Sequence, residues 1–353
     1  MIHKKKIVFL FTELSGYMVN CFSKAIEHNY EVHVVFYPVN KEAPFKLKHN
    51  VSLFKYHRSE FSNSDSLIKL INDINPGLIL ISGWIDKDYL KAIKTLSTNI
   101  KKVMMMDTPW KSSIKQHVWK IVFKTKYLKI FNAIWVPGEI QKKYAVRLGF
   151  SDSMIFEGLY TCNSNLFESY FIDGFPSKQK SFPKRFLFIG RYIDKKGIKE
   201  LCELFTEIID EYSFDWELWC VGDGDLWSNR KIHPSIKHFG FVQPDQLLEI
   251  IKGSGIYVLP SKYEPWGVSL HEMVSAGMPV LVSEDIGSHN YFVKNRINGL
   301  VFSHRVKNDF KDKLLQMMQY SSNELLNMGK ESVHLSNKFT TKTWLKTLNE
   351  IYD

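Results

Sequence analysis

The stretch that decides the fold is Leu259-Pro-Ser-Lys-Tyr-Glu-Pro-Trp-Gly-Val-Ser-Leu-His-Glu-Met-Val-Ser-Ala-Gly-Met-Pro-Val280. An apolar run ends at Pro260, a short loop carries Glu264, and helical spacing begins near Trp266. A turn of small residues then leads into a second apolar run at Val280. Strand, loop, helix and strand in this order predict one βαβ unit of a parallel sheet.

The same alternation of short apolar runs and helical stretches extends outward from this unit in both directions. In the first half, the runs expected to form buried strands are Ile7–Phe11, Val32–Tyr37, Leu78–Ile81, Val103–Met106 and Ala133–Val136. In the second half they are Phe186–Ile189, Trp216–Val221, Ile236–Phe239, Ile256–Leu259 and Val280–Val282. The stretch 165–182 between the two sets is less regular. Continuous apolar strands between helices predict an α/β protein with two Rossmann-like domains, whose ligands bind beyond the C-terminal strand ends.

Length and composition agree with this division. A chain of 353 residues suits two domains, and its 44% hydrophobic and 24% charged residues are typical of a soluble protein. We find no run of eighteen apolar residues, and we interpret Met1–Phe11 as a first strand, not a secretory signal, because it lacks a small-residue cleavage site. The four cysteines show no CxxC spacing, which favours free thiols in a reducing cytoplasm over a metal site.

Positive charge is concentrated in the first half. Residues 1–165 carry a net charge of +11 and the remainder −1, so the first half favours phosphates, anionic lipid or nucleic acid. Lysines and aromatic residues interleave over Lys111–Phe131. Such a helix can lie in a lipid headgroup interface, or it can face the core and expose a lysine-rich solvated side. No recognised motif supports binding of nucleic acid.

Two stretches of the second half carry residues suited to phosphate chemistry. The helix beginning near Gly267 offers free N–H groups and the positive end of a dipole, although glutamates eight residues apart, such as Glu264 and Glu272, are common by themselves. The other stretch is Phe188-Ile-Gly-Arg-Tyr-Ile-Asp-Lys-Lys-Gly197, where Arg191 and Lys196 bracket a loop after a strand. An arginine and a lysine held at that place can neutralise a diphosphate without a metal ion.

Both stretches resemble the retaining glycosyltransferases of family 4. That family carries Ser-x-x-Glu-(Pro/Gly)-Phe-Gly with a second Glu eight residues after the first, and Trp266 stands here where Phe is usual. The resemblance is strongest over residues 184–302 and implies the GT-B architecture, two Rossmann-like domains facing a central cleft. It implies an acceptor-binding domain at 1–165, a nucleotide-sugar-binding domain at 182–335, and a C-terminal helix, 336–353, that crosses back to the first domain.

The resemblance also assigns roles by position. Glu264 would face the donor sugar, Glu272 would bind the ribose, and Arg191 and Lys196 would clamp the diphosphate. The family places Gly16 and Gly190 in loops against the diphosphate. The backbone groups that would hold the sugar and the distal phosphate belong to Trp266, Gly267, Val268 and Ser269. The turn whose backbone contacts the nucleobase would contain Phe241 and Val242.

One position departs from the family. Many members have a histidine near the reacting carbon, whereas Met104-Met-Met-Asp-Thr-Pro-Trp110 has Asp107 at about that place. Asp107 either replaces the histidine as a catalytic residue or caps the loop before Pro109.

The resemblance implies front-face transfer of a sugar from a nucleotide diphosphate sugar, with UDP and GDP both open, to a glycan or lipid-linked acceptor. We expect no cofactor and no metal ion, and a role in bacterial surface polysaccharide biosynthesis, lipopolysaccharide or capsule. The expected location is cytoplasmic, at the anionic inner face of the cytoplasmic membrane, without nucleic acid. A nucleotide-sugar-binding regulatory protein without turnover is the alternative. A nicotinamide-dependent dehydrogenase is disfavoured because Thr12–Tyr17 lacks the Gly-x-Gly-x-x-Gly fingerprint.

Overall fold

The computed structural model describes residues 4–37, 52–243 and 246–353. The chain forms two compact units, Met1–Thr161 together with Thr341–Asp353, and Cys162–Thr340. Each unit has one parallel sheet with helices, which confirms the prediction of two Rossmann-like α/β domains. Within the described residues, no helix is both long enough and apolar enough to cross a bilayer.

Over residues 4–37 and 52–161, the first unit is built on a sheet of seven parallel strands. In chain order the strands are β1 Lys5–Leu10, β2 Tyr30–Phe36, β3 Phe54–His57, β4 Leu78–Ser82, β5 Lys101–Met105, β6 Ala133–Val136 and β7 Ile155–Glu157. The helices before the second unit are α1 Gly16–Glu27, α2 Ser64–Ile74, α3 Lys87–Thr95, α4 Ile114–Lys126 and α5 Glu139–Leu148. The sheet order is β3-β2-β1-β4-β5-β6-β7. Its apolar strands pack into two hydrophobic clusters.

The part of the second unit that the structure describes has six parallel strands in the order β10-β9-β8-β11-β12-β13. These are β8 Arg185–Ile189, β9 Glu217–Val221, β10 Ile236–His238, β11 Ile256–Leu259, β12 Val280–Ser283 and β13 Gly299–Phe302. The helices are α6 Ser164–Lys180, α7 Ile198–Tyr212, α8 Leu247–Lys252, α9 Val268–Ser275, α10 His289–Phe292, α11 Asp309–Gln319 and α12 Ser322–Ser336. Short 3-10 turns occur in both units, at Arg58–Glu60, Leu128–Ile130, Asp152–Met154 and Asp194–Lys196.

The last helix, α13 (Thr341–Tyr352), belongs to the first unit. Its apolar stripe is buried there, and Trp344 stacks on Trp135 with ring centroids 5.1 Å apart. The indole N–H of Trp344 donates to the carbonyl of Leu159 at 3.1 Å. The C-terminal stripe therefore completes the core of the N-terminal fold.

The stretch 165–182 was expected to be less regular, but residues 165–180 of it are helical, so that expectation was wrong. Gly174 and Pro176 lower the local helix propensity, so the helical pattern is weak. Packing overrides them: Phe167 and Tyr170 are buried, and α6 packs on α8 and α9. The unit boundary accordingly falls at Thr161, and α6 opens the second unit.

In both units the first strand lies inside the sheet. β1 pairs with β2 on one side and β4 on the other, and β8 pairs with β9 and β11. Successive strands are thus added in opposite directions from a switch point. Loops that leave the carboxyl ends of the strands diverge there and leave a crevice for a ligand.

Candidate active site

Three loops meet at the carboxyl ends of β8, β11 and β12 in the second unit. The N–H of Lys262 donates to the carbonyl of Lys195 at 2.9 Å, which joins the loops after β11 and β8. The N–H of Glu264 donates to Asp285 at 3.2 Å, and its carbonyl accepts from Gly287 at 3.0 Å. Main-chain hydrogen bonds therefore fix Glu264 on both sides.

Lys196 and Glu264, which lie 68 residues apart, form an ion pair between two of these loops. Their side chains are only 18% and 12% exposed, and the hydroxyl of Ser261 also donates to the Glu264 carboxylate, at 3.1 Å. Such charge-assisted hydrogen bonds are short and directional. The structure thus brings together the residue assigned to the diphosphate and the residue assigned to the sugar.

The loop after β8 approaches the loop after β11 very closely at Gly197. Gly197 has φ +69°, and a Cβ there would overlap the carbonyl oxygen of Pro260. Only glycine allows both the conformation and the contact. Gly190 begins this loop with its N–H bonded to Val221 at 3.0 Å, and Arg191 follows with an exposed side chain.

The loops after β8, β9 and β10 are also connected. The N–H of Gly222, after β9, donates to the carbonyl of Gly240 at 2.8 Å. Tyr192, beside Arg191, bonds through its hydroxyl to Nδ1 of His238 at 2.8 Å. The turn that carries Phe241 and Val242 therefore lies on the same edge of the sheet as the Gly190 loop.

The N-terminus of α9 follows Gly267, which has φ +90° and leaves no room for a Cβ because Ile286 Cγ2 would lie 2.8 Å away. Trp266 is 2% exposed and packs against Tyr291, Phe292 and Phe339. This packing encloses the indole, so the first turn of the helix presents its backbone. The N–H groups of a first turn lack intrahelical partners and suit an anion.

Two further predicted residues lie on α9. The side chain of Ser269, in the first turn, accepts a hydrogen bond from the buried hydroxyl of Tyr257 at 2.9 Å. Glu272 lies in the second turn, where burial raises its pKa to about 8. Tyr291 contacts Trp266 with ring centroids 5.4 Å apart.

The raised pKa of Glu272 predicts a pH-dependent stability. The ordinary value is 4.5, so between about pH 4.5 and 8 the folded state holds a proton that the unfolded state has lost. Stability must therefore fall as pH rises through this window. We expect Glu272→Gln to raise the melting temperature at pH 8 and to change it little at pH 5. Glu331→Gln, on the exposed side of α12, is the matched control, and an equal shift at both pH values would contradict the assignment.

The first unit has its own cavity, of about 300 Å³, at the switch point between β1 and β4. Asp107 lines it just after β5, and its carboxylate accepts from the Tyr160 hydroxyl at 3.3 Å. Burial raises the pKa of Asp107. Tyr17 packs edge-on against Tyr160, with ring centroids 5.6 Å apart. Gly16 begins α1 beside this cavity but does not line it.

Apart from Lys196, the side chains that bind or contact Glu264 and Asp107 were not among the predicted site residues. Ser261 is the serine of the Ser-x-x-Glu motif, so its place beside Glu264 could have been predicted from the sequence. Tyr17 lies in the first turn of α1 and Tyr160 in the loop after β7, so they are 143 residues apart and belong to no motif. In the described ranges, no group of three or more His, Cys, Asp or Glu side chains is arranged to hold a metal ion.

Residues 173–333 match the family model of glycosyl transferases group 1. An uncharacterized glycosyltransferase of Methanocaldococcus jannaschii is 31% identical over 122 residues, 33% of this chain and 31% of that protein. The UDP-Gal:alpha-D-GlcNAc-diphosphoundecaprenol alpha-1,3-galactosyltransferase of Escherichia coli is 26% identical over 160 residues, 43% of this chain and 39% of that protein. The chain thus spans between three and four tenths of the length of these relatives.

Solved structures are similar along the whole chain. A glycosyltransferase from Rickettsia africae superposes with a TM-score of 0.77 at 15% identity, covering 99% of this chain and 98% of the other. Sucrose-phosphate synthase from Thermosynechococcus elongatus gives 0.76 at 15% identity, with the same coverage. At such identities the likeness concerns the fold.

Proposed function

We propose that the chain is a retaining glycosyltransferase, because residues 173–333 match glycosyl transferases group 1 and the whole chain is similar in fold to solved glycosyltransferase structures. It moves a sugar from a nucleotide diphosphate sugar, UDP- or GDP-linked, to a glycan or lipid-linked acceptor. The observation that carries this is the Lys196–Glu264 pair at the switch point of the second unit. It places a cation and a carboxylate beside the N-terminus of α9.

The donor diphosphate binds Arg191, Lys196 and the first-turn N–H groups of α9. Glu264 faces the sugar and Glu272 the ribose. The bond between the anomeric carbon and the phosphate oxygen breaks, and the acceptor oxygen bonds to the same face of the sugar. The acceptor's proton passes to the departing phosphate oxygen, which leaves as nucleoside diphosphate. Arg191 and Lys196 stabilise the developing negative charge, so the reaction needs no metal ion.

The acceptor side is assigned to the cavity of the first unit. Its wall combines the Asp107 carboxylate, the Tyr160 hydroxyl and the Tyr17 ring. Carboxylates and tyrosines of this kind bind sugar hydroxyls through hydrogen bonds and ring contacts. Asp107 in this arrangement takes the place of the family's histidine.

A lipid-linked acceptor is favoured over a soluble one. The E. coli relative is named for an acceptor on diphosphoundecaprenol, a lipid. On α4, Phe123 is buried, whereas the aliphatic side chains of Ile114, Val118 and Ile121 are 85%, 59% and 63% exposed. A helix anchored on one side that exposes lysines and aliphatic groups on the other suits the surface of an anionic membrane. The enzyme then acts at the inner face of the cytoplasmic membrane in surface polysaccharide biosynthesis.

We expect the protein to co-sediment with anionic vesicles at low salt and to be released at high salt. Each lysine near such a surface contributes about 1 kcal/mol, and salt screens this attraction. Changing Lys120, Lys124 and Lys126 on α4 to glutamate should abolish binding without lowering the melting temperature.

The control for this experiment carries the same charge change on exposed positions of other helices in the first unit. The three substitutions are Lys69→Glu, Lys143→Glu and Lys346→Glu. An equal loss of binding in this control, or a wild type that ignores anionic vesicles, would refute attachment through α4.

The test of the proposed activity is a thermal-shift screen of nucleoside diphosphates and their sugars, followed by donor hydrolysis without acceptor. A ligand that binds only the native state raises the melting temperature. The expected result is stabilisation by one nucleoside diphosphate and slow hydrolysis of its sugar. Tight nucleotide binding without hydrolysis or transfer to any acceptor would favour the regulatory alternative, which the comparisons do not favour.

A further inference from the structure

The first unit contains a second and larger cavity, an open groove of about 1160 Å³ between α3 and α4. Five exposed lysines line it: Lys87, Lys91, Lys94, Lys115 and Lys126. No aspartate or glutamate is among its described lining residues. The nearest acidic residues along α3, Asp86 and Asp88, both bind Arg58 at 2.7 Å. The groove therefore attracts an anion.

The floor of the groove is apolar. Trp84, Leu90 and Trp119 lie there, and two exposed aliphatic side chains flank it, Ile85 at 78% and Val118 at 59% exposure. The rings of Trp84 and Trp119 pack against each other, with centroids 5.3 Å apart. Single-stranded nucleic acid binds through aromatic rings whose faces are open for base stacking, whereas exposed aliphatic side chains provide no stacking surface for its bases. Apolar floor and cationic rim together fit a hydrocarbon chain that ends in phosphate.

This groove adjoins the cavity that contains Asp107. Trp84 and Ile85 line both, and Lys87 follows two residues later on the groove side. One ligand can therefore occupy both spaces, with its phosphate near Lys87 and its polar head near Asp107.

We propose that the α3–α4 groove binds the lipid phosphate end of the acceptor. The hydrocarbon packs on Trp84, Leu90 and Val118, the lysines bind the phosphate, and the sugar enters the Asp107 cavity. This inference rests on the proposed function and extends it, because it assigns the lipid to a defined groove and adds the lysines of α3, which lie outside the Lys111–Phe131 stretch.

The experiment titrates the full-length protein with three probes by calorimetry: farnesyl phosphate below its aggregation concentration, farnesol, and inorganic phosphate. We expect farnesyl phosphate to bind at least tenfold more tightly than either of the others. A Lys91→Glu, Lys94→Glu double variant should lower the affinity for farnesyl phosphate at least tenfold. Val118 is exposed, so Val118→Asp should leave folding intact, and it should also lower this affinity.

The matched control is Lys69→Glu with Lys143→Glu, which should bind farnesyl phosphate like the wild type. The proposal is wrong if inorganic phosphate binds as tightly as farnesyl phosphate, if the control loses as much affinity as the α3 variant, or if a single-stranded oligonucleotide displaces the probe. Nucleoside diphosphate binding, which belongs to the second unit, is measured in parallel. Its absence in the wild type would count against the proposed donor site without altering the farnesyl phosphate result.

Discussion

Replacing Glu264 with glutamine is expected to lower the rate of sugar transfer roughly 30- to 1000-fold, or about 2–4 kcal/mol of transition-state stabilisation. The main chain of Glu264 is bonded on both sides, and its carboxylate is held by Lys196 and Ser261. Glutamine keeps the shape but removes the negative charge opposite the sugar, where positive charge develops. Because that charge is greatest in the transition state, the loss should fall mainly on kcat.

The control for this substitution is Glu284→Gln. Glu284 lies at the end of β12, half-exposed, and binds Arg305 and Ser303 at the surface. Its variant should transfer sugar at close to the wild-type rate. Near-normal kcat in Glu264→Gln, with unchanged nucleotide affinity, would remove Glu264 from the site.

The sequence predicted the central strands of both sheets, and their positions are confirmed to within two residues. Among the described strands, the three that it missed, β3, β7 and β13, all lie at sheet edges. β3 contains no buried residue and β7 has only three residues, so neither forms a continuous apolar run. An edge strand is paired on one side only, and its existence depends on the neighbouring strand. Local hydrophobicity therefore contains little information about β3 and β7.

Periodicity also left the orientation of α4 open. Ile114, Val118 and Ile121 form one stripe, with Phe123 beside it, and a spacing argument cannot tell which side meets the sheet. The structure buries Phe123 in the first core and exposes the other three. The side of α4 that is buried depends on which strands lie beneath the helix. The order of the strands in the sheet determines this, and it cannot be derived from the periodicity of the helix.

The residues that we assign to the donor were predicted together because they lie in two contiguous motifs. Their contact was not predictable from spacing, since Lys196 and Glu264 meet only because β8 and β11 are neighbours. The contact between Asp107 and Tyr160 was not predictable from spacing either, since Tyr160 lies in a loop 53 residues away along the chain. Motifs identify residue types, and topology decides which of them meet.

The second large effect is expected at the diphosphate clamp. Lys196→Ala should lower transfer about 100- to 1000-fold, because a fixed cation beside the departing diphosphate stabilises charge that appears only in the transition state. Lys195→Ala is the matched control: its side chain is exposed, and alanine preserves the carbonyl that accepts from Lys262. That variant should retain nearly full activity, and Arg191→Ala should resemble Lys196→Ala.

The same clamp predicts that wild-type transfer persists in a chelator, since Lys196 and Arg191 supply the charge that a divalent ion would otherwise provide. Full loss of turnover in chelator, restored by manganese or magnesium, would contradict this, whereas weak stimulation only reflects screening of the released diphosphate.

Lys196→Ala removes the cation from the diphosphate and also leaves Glu264 without its ion-pair partner, so the loss of activity combines two effects. If the pair acts as a unit, the Lys196→Ala, Glu264→Gln double variant should lose clearly less than the product of the two single losses. Multiplicative losses would mean that the two residues act independently on the donor.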